Sequence, residues 1–491
     1  MVRSRTPVVL LSLASLLAAG ASRGASDSRP VELPVSTAPW MGDLDEMLDR
    51  RLIRVLVPYS RTLFFNERGH ERGITAQAAR ELEHFLNQKY RTRLGKRPLT
   101  VALLPTPRDQ LLVRLEKGLG DVSAGNLTMT PTRRQTVDFV PQGGRSTVKE
   151  VVVTGPASPV LRSLTDLSGR SVDVRSSSSY AESLAALNAR FVNEQRRPVE
   201  ILALPEELED EDVLEMLHAG LLELTVVDDW KARIWARVLP GVRVREDLSL
   251  RDEGQIGWAI RKGSPQLSAE LAEFFKVTSR KWGGFDSRII TFERRIKQIV
   301  NSTSGPNWRQ FQATVNLFEK YAKRYNFDPL MLTAQGFQES RLRQEARSPV
   351  GAIGVMQLMP ATGAEMKVGD VELLEPNIHA GAKYMNQLMT RFFTDAAFDT
   401  TNRTLFAFAS YNAGPGAISR LRSEARKRGL DPDRWFDQVE IVVAEKIGLE
   451  TTTYVRNIYK YYAAYRLGAE SEEARRTARD RARRIGAPEP K

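Results

Sequence analysis

The period of the apolar residues changes once, near residue 306, and that change limits the chain to two different kinds of fold in series. Before it, short runs rich in Val, Ile and Leu alternate with amphipathic segments. Leu52–Val57, Leu99–Leu104 and Gly120–Gly125 read as strands, with helices over Gln77–Tyr90 and Arg108–Lys117 between them. The alternation repeats from Ser171–Val174 to Leu224–Asp228, after which a strand at Gln255–Ile260 and a helix over Ser268–Phe275 bring the chain back. Alternating strands and helices specify an open α/β sheet, and two such lobes enclose a hinged cleft. After the turn-rich stretch Asn301–Pro306 the spacing is helical. Trp308, Phe311, Val315, Phe318 and Tyr321 share one stripe, and Asp328–Pro329 is an N-cap followed by proline at the first helical position. Further helices are expected over His379–Phe392, Thr404–Asn412, Val439–Lys446 and Thr452–Tyr465.

The expected architecture is therefore a two-lobed α/β domain over 49–285, an all-α domain over 307–468 and a charged tail over 469–491. Arg3 and Arg5 precede an apolar run from Val8 to Ala19, and Ala19-Gly20-Ala21 has the small-x-small form of a cleavage site. Residues 1–21 read as a signal peptide and 22–48 as a flexible leader. The apolar run is shorter than the roughly 20 residues that span a bilayer, so a retained anchor is the alternative reading.

Composition narrows the chemistry. The net charge of +12 favours anionic partners, but the basic residues are spread along the chain. No Walker loop, zinc-ligand spacing or RNA-binding signature accompanies them, so nucleic acid is not an expected partner. With no cysteine and four histidines, neither a metal site nor a cofactor is expected, and a cysteine-linked lipid is excluded. Catalysis has to run on carboxylates and hydroxyls.

Four segments of the second half suit such catalysis: Phe337-Gln338-Glu339-Ser340, then Ser348 to Pro360 with Gly351 and Gly354, then Ser410-Tyr411-Asn412-Ala413-Gly414, and finally Glu450 to Val455. A carboxyl at a helix end, a glycine-relaxed turn and two aromatic-polar segments can surround one sugar–sugar bond. One carboxyl suffices if it first donates a proton to the leaving oxygen and then accepts one. Burial beside apolar groups such as Phe337 and Met356 favours the protonated form that the first step needs.

In order and spacing these segments resemble the family 1 lytic transglycosylases, whose domain has a lysozyme-like fold. The resemblance implies that Glu339 is the catalytic acid and that Ser340, Ser348, Met356, Gln357, Tyr411, Asn412, Glu450 and Tyr454 contact the substrate. Ser348 also reads as a turn residue before proline, Met356 as either cleft wall or core, and Glu450 equally as a salt-bridge partner. The implied reaction uses the C6 hydroxyl of muramic acid in place of water and leaves a 1,6-anhydro end. Ordinary glycosidases instead flank the bond with two carboxyls.

The first half carries a second resemblance. Gly118-Leu119-Gly120-Asp121, then Leu127 to Arg134 and Val137-Asp138-Phe139, are similar to the signature of the solute-binding family 3 proteins. That implies a carboxylate clamp at Arg133 and an ammonium partner at Asp228, with an amino acid or stem peptide as ligand. Arg175-Ser176-Ser177-Ser178 departs from the family's usual Gly-Ser or Gly-Thr turn, and ordinary ion pairing is the plain alternative for Arg133 and Asp228. As a whole the chain resembles the F-type membrane-bound lytic murein transglycosylases, which implies a peptidoglycan substrate in the periplasm and peripheral attachment to the outer membrane. A hydrolytic muramidase of the same fold and a non-catalytic glycan-binding sensor are the competing readings. Product mass separates them, since anhydro ends are lighter by one water.

Overall fold

The computed structural model describes residues 38–67, 70–142, 147–296, 308–464 and 466, and these fall into two compact units. One comprises Thr37–Pro306 with Asn412–Lys491, the other Asn307–Tyr411. The expected signal peptide, the turn-rich stretch 301–306 and the tail 469–491 lie outside the described residues.

The larger unit is built on eleven strands: β1 Leu52–Val57, β2 Phe65–Glu67, β3 His70–Arg72, β4 Thr100–Pro105, β5 Val122–Thr128, β6 Val137–Pro141, β7 Thr147–Thr154, β8 Ser171–Arg175, β9 Glu200–Leu204, β10 Leu224–Asp228 and β11 Arg243–Arg261. In β1, β5 and β10 nearly every position is buried, the pattern of strands covered on both faces. The main sheet runs β4-β1-β5-β11-β7-β10-β8-β9, with β6 also on β11, while β2 and β3 form a separate hairpin. Strand β11 serves both lobes: its first part pairs antiparallel with β7 and its last part with β5 and β6. Irregular register along the β7 pairing gives it the bend to do so. In the first lobe Leu267, Leu271, Phe274 and Phe275 lie on one face of the Pro265–Trp282 helix, where Phe275 meets Trp258 edge-on at 5.2 Å. In the second, Leu184, Leu187 and Phe191 of the Ser179–Asn193 helix pack on Val172, Val174 and Val226.

Most of the expected elements appear where the periodicity puts them, with some extended: the Ser268–Phe275 helix runs over Pro265–Trp282 and the Gln255–Ile260 strand belongs to the longer β11. The leader is shorter than expected. Leu44–Arg50 is a helix with an Asp43/Glu46 capping box and buries Leu44, Met47 and Leu48, so its apolar positions are core contacts. The second boundary also differs. The segment from Asn412 onward groups with the α/β lobes, because Ile441 and Ala444 of the Glu440–Ile447 helix join a cluster with Val57, Tyr59, Phe64 and Phe65.

Buried charge ties this unit together. The second lobe's acidic segment Glu209–Glu215 is almost fully buried, and its partners come from three directions. From the first lobe, Arg108 pairs with Glu209 at 2.6 Å, the hydroxyls of Ser60 and Thr62 donate to Glu211 at 2.9 Å, and Arg61 reaches Asp212 at 3.0 Å and Glu215 at 2.8 Å. From its own lobe, Arg175 and Lys231 hold Asp210. From the helical residues 449–464, Lys460 pairs with Asp212 at 3.2 Å and with Glu215, and Arg456 approaches Asp212 at 3.4 Å and Glu440 at 2.8 Å.

The smaller unit is helical: Trp308–Tyr325, Pro329–Ser340, Pro360–Met366, Leu374–Phe392 and the greater part of Thr400–Ala413. Asp328 caps the second of these as expected, accepting from the Met331 amide at 2.9 Å.

Burial opposes the charge on Asp212, but Lys460, Arg61 and Arg456 outweigh it and hold the carboxyl well below the usual range. Asp212→Asn is expected to cost about 3–5 kcal/mol at pH 7, the cost of breaking a buried pair. Since the folded carboxyl titrates below the unfolded one, near 3.9, this contribution is complete above about pH 5 and is lost as pH falls. Calorimetric unfolding of both proteins between pH 7 and pH 3 should show the difference narrowing with acid.

Candidate active site and solute cleft

Glu339 lies in the last turn of the Pro329–Ser340 helix and is partly exposed. It therefore sits at the negative end of the helix dipole. The helix ends abruptly: the Arg341 and Leu342 amides turn back to the Phe337 and Gly336 carbonyls, and both residues take left-handed backbone angles, φ 60° and 58°. Two such residues in a row cost on the order of 1–3 kcal/mol each, a strain held by the buried Leu342.

The loop that follows is stabilised from inside. Ser340 is buried, and its hydroxyl donates to the Val355 carbonyl at 2.9 Å while accepting from the Arg343 amide. Gln357 turns its amide nitrogen onto the Gly354 and Ala346 carbonyls at 2.9 and 3.3 Å. Met356 is fully buried, packed so closely on the Leu374–Phe392 helix that a Cβ on Gly381 would lie 2.8 Å from its Cγ. The side chains of Ser340 and Met356, expected at the substrate, are engaged here with the loop and core: the short loop must satisfy its own backbone groups, and Met356 fills the space beside Gly381.

Two residues that the sequence did not single out complete the frame. Buried Asn377 accepts from the Met356 amide at 2.8 Å and donates to the Ile353 and Val371 carbonyls at 3.0 and 2.8 Å. Gln344 accepts from the Val355 amide at 3.2 Å and donates to the Val371 and Glu372 carbonyls. Gly354, at φ 77°, lets the loop pass these amides, since a Cβ there would come within 2.4 Å of Asn377 Nδ2. No local pattern marks Asn377, whose role depends on a loop 21 residues earlier.

Tyr411 completes the cluster of this unit. Its hydroxyl donates to the Met356 carbonyl at 2.7 Å and its ring meets Tyr384 edge-on at 5.6 Å. Burial, then the neighbouring Glu339 carboxylate and Tyr384, push its phenol well above the ordinary range. Ser348 is partly exposed; its oxygen accepts from the Ala352 amide at 2.9 Å, which leaves its proton available as a donor. The structure thus gathers Glu339, Met356 and Tyr411 within one unit. Asn412, Glu450 and Tyr454 belong to the other unit, where the Thr451 hydroxyl donates to Asn412 Oδ1 at 2.8 Å and fastens it to the helical residues 449–464. Glu450 is exposed and makes no ion pair among the described residues, and Tyr454 follows it by one turn.

In the α/β lobes, Arg133 and Asp228 line one cavity of about 90 Å³. Arg133 donates to the Thr128 carbonyl of its own lobe and to the Ser177 carbonyl of the other, both at 2.9 Å. Asp228 is buried, with Oδ2 3.2 Å from Lys231 Nζ and Oδ1 without a partner among the described residues. Burial pushes its carboxyl up to about 6 against the pull of Lys231. Among the described residues no group of His, Cys, Asp and Glu has the arrangement of a metal site.

The profile of the Transglycosylase SLT domain matches residues 316–432, which hold Glu339, the loop and Tyr411. A membrane-bound lytic murein transglycosylase F of Desulfosudis oleivorans is 30% identical over 377 residues, covering 72% of this chain and 79% of its own. The chain belongs to this family. A Shewanella pealeana member is 29% identical over 380 residues, covering 72% of this chain and 74% of its own. Among solved structures, an ancestral arginine-binding protein bound to arginine aligns over 50% of this chain and 98% of its own, at 19% identity and a TM-score of 0.40.

If Asn377 positions the loop, Asn377→Ala strands the buried Met356 amide, at a cost of about 1–3 kcal/mol, and removes one of two donors from each of the Ile353 and Val371 carbonyls. The expected result is a lowered unfolding temperature together with a fall in murein cleavage. Asn377→Asp, which keeps the acceptor for the Met356 amide, should recover part of both; thermal unfolding and a sacculus-clearing assay read the two effects.

Proposed function

We propose that this chain cleaves the bond between N-acetylmuramic acid and N-acetylglucosamine in peptidoglycan without water, leaving 1,6-anhydro ends, with Glu339 as the acid. The observation that carries the reading is a partly exposed carboxyl at a strained helix end, inside the matched SLT region that also holds Tyr411. In this mechanism protonated Glu339 gives its proton to the glycosidic oxygen as the C1–O bond breaks. The resulting carboxylate then takes the proton of the muramic C6 hydroxyl as that oxygen bonds to C1. Every atom of the substrate is kept, so no second carboxyl is needed to activate water.

Ser348, with its spare donor, suits the N-acetyl carbonyl of the sugar, and Tyr411 holds the Met356 carbonyl in place. Asn412, Glu450 and Tyr454 are proposed as further substrate contacts, supported by the unpaired Glu450 and by the Thr451 bond that orients Asn412. We place the enzyme in the periplasm, peripherally attached to the outer membrane, in keeping with its membrane-bound relatives.

Glu339→Gln keeps the shape of the side chain but has no proton to give. Cleavage of purified sacculi is expected to fall by at least about two to four orders of magnitude, with folding intact. Mass spectrometry of the parent digest should give anhydromuramic ends in the presence of excess chelator; reducing muramic acid as the main product would install the muramidase instead.

We infer also that the Arg133–Asp228 cleft takes an amino acid or stem peptide, the free Oδ1 of Asp228 receiving its ammonium and Arg133 its carboxylate. Its volume of about 90 Å³ requires the lobes to part first, at the expense of cross-lobe bonds such as Arg108–Glu209. A ligand preferring the parted state would shift the equilibrium between the two. Calorimetry with common amino acids and stem peptides should show binding that Arg133→Ala abolishes, along with any effect on cleavage rate.

A further inference from the structure

The α/β unit holds a second and larger cavity, of about 540 Å³, well within the range of ligand pockets. Three segments wall it: the β2/β3 hairpin, the first turns of the Ile74–Lys89 helix, and the Gly284–Glu293 helix with the residues just beyond it. Four arginines line it, Arg72, Arg80, Arg288 and Arg295, against two glutamates, Glu67 and Glu71. The glutamates are matched, since Glu71 faces Arg80 at 3.0 Å and Glu67 faces Arg72 at 3.9 Å.

Arg288 is the decisive group. It is 1% exposed, and its Nε and Nη2 donate to Glu81 at 3.0 and 2.7 Å, while Nη1 has no partner among the described residues. A buried guanidinium nitrogen left unpaired is costly, and an acceptor inside the cavity removes that cost. Arg295 lies just beyond the end of that helix, lines the same cavity and makes no side-chain bond among the described residues. Arg72, with its ion pair at 3.9 Å, is only loosely engaged. Three guanidinium groups with donors to spare suit a phosphate, whose several oxygens accept bidentate pairs, better than a single carboxylate. Phe65 and Phe292 line the rest and suit a partly apolar body.

We propose that this cavity binds a phosphate ester, and that the ester it serves is the headgroup of an anionic phospholipid. The proposal rests on the membrane attachment read above and not on the catalytic reading. That attachment is read from relatives that are named membrane-bound.

The test uses the full chain and two probes, glycerol 1-phosphate by calorimetry and phosphatidylglycerol vesicles by co-sedimentation, with phosphatidylcholine vesicles as the blank. Arg72→Ala with Arg295→Ala removes two exposed guanidiniums and leaves the Arg288–Glu81 pair intact. Arg91→Ala with Lys96→Ala removes the same charge from another exposed segment. Both affinities are expected to fall at least about tenfold in the first double variant and by no more than about twofold in the second. Glycerol phosphate binding that depends on Arg72 and Arg295, with vesicle binding unaffected by them, keeps the phosphate site but overturns the lipid as its source. No saturable glycerol phosphate binding, or equal losses in the two double variants, overturns the site. Vesicle binding that survives in every variant leaves membrane attachment standing without it.

Discussion

The buried acidic segment Glu209–Glu215 is the constraint on which the larger unit depends. A charge taken out of water costs several kcal/mol unless it is paired, so each of these carboxylates must find a partner wherever the chain can supply one. The partners come from both lobes and from the helical residues 449–464. Each of the three supplies at least one buried ion pair to this segment, so a movement of one is registered at the others. Arg456, which reaches Asp212 and Glu440, lies two residues beyond Tyr454 on the same helical stretch. The closure of the solute cleft and the placement of a proposed substrate contact therefore draw on one set of ion pairs.

A different economy governs the smaller unit. The turn after Glu339 carries many backbone groups in few residues, and buried polar groups must be bonded. Ser340, Gln344, Gln357 and Asn377 are used inward for that purpose. What remains for chemistry is correspondingly sparse: the Glu339 carboxyl, the Ser348 proton and the Tyr411 phenol. A single acid on a rigid frame suits a reaction in which the substrate supplies its own nucleophile, because the protein then has only to move one proton out and one back.

The solute cleft shows how pairing competes with binding. Lys231 already holds one oxygen of Asp228, and Arg133 already bridges to Ser177 across the lobes. These bonds stabilise the closed arrangement and are the ones an incoming zwitterion would have to replace.

Periodicity and motif spacing in the sequence determined the sequence of folds, the strands β1, β4, β8 and β10 within a residue of their ends, the Asp328 cap and the clustering of Glu339, Met356 and Tyr411. These depend on neighbours a few residues apart, or on a motif that brings its own geometry. Only the tertiary structure decided that Met356 and Ser340 face inward, that Asn377 frames the loop, that Leu44–Arg50 belongs to the core and that the chain beyond Asn412 packs with the α/β lobes. The same holds for the partners of Glu209–Glu215 and for the unpaired nitrogen of Arg288. A run of acids, or one arginine on a helix, reads as solvated surface until distant segments bury it, and burial is a property of the whole fold that no local pattern carries.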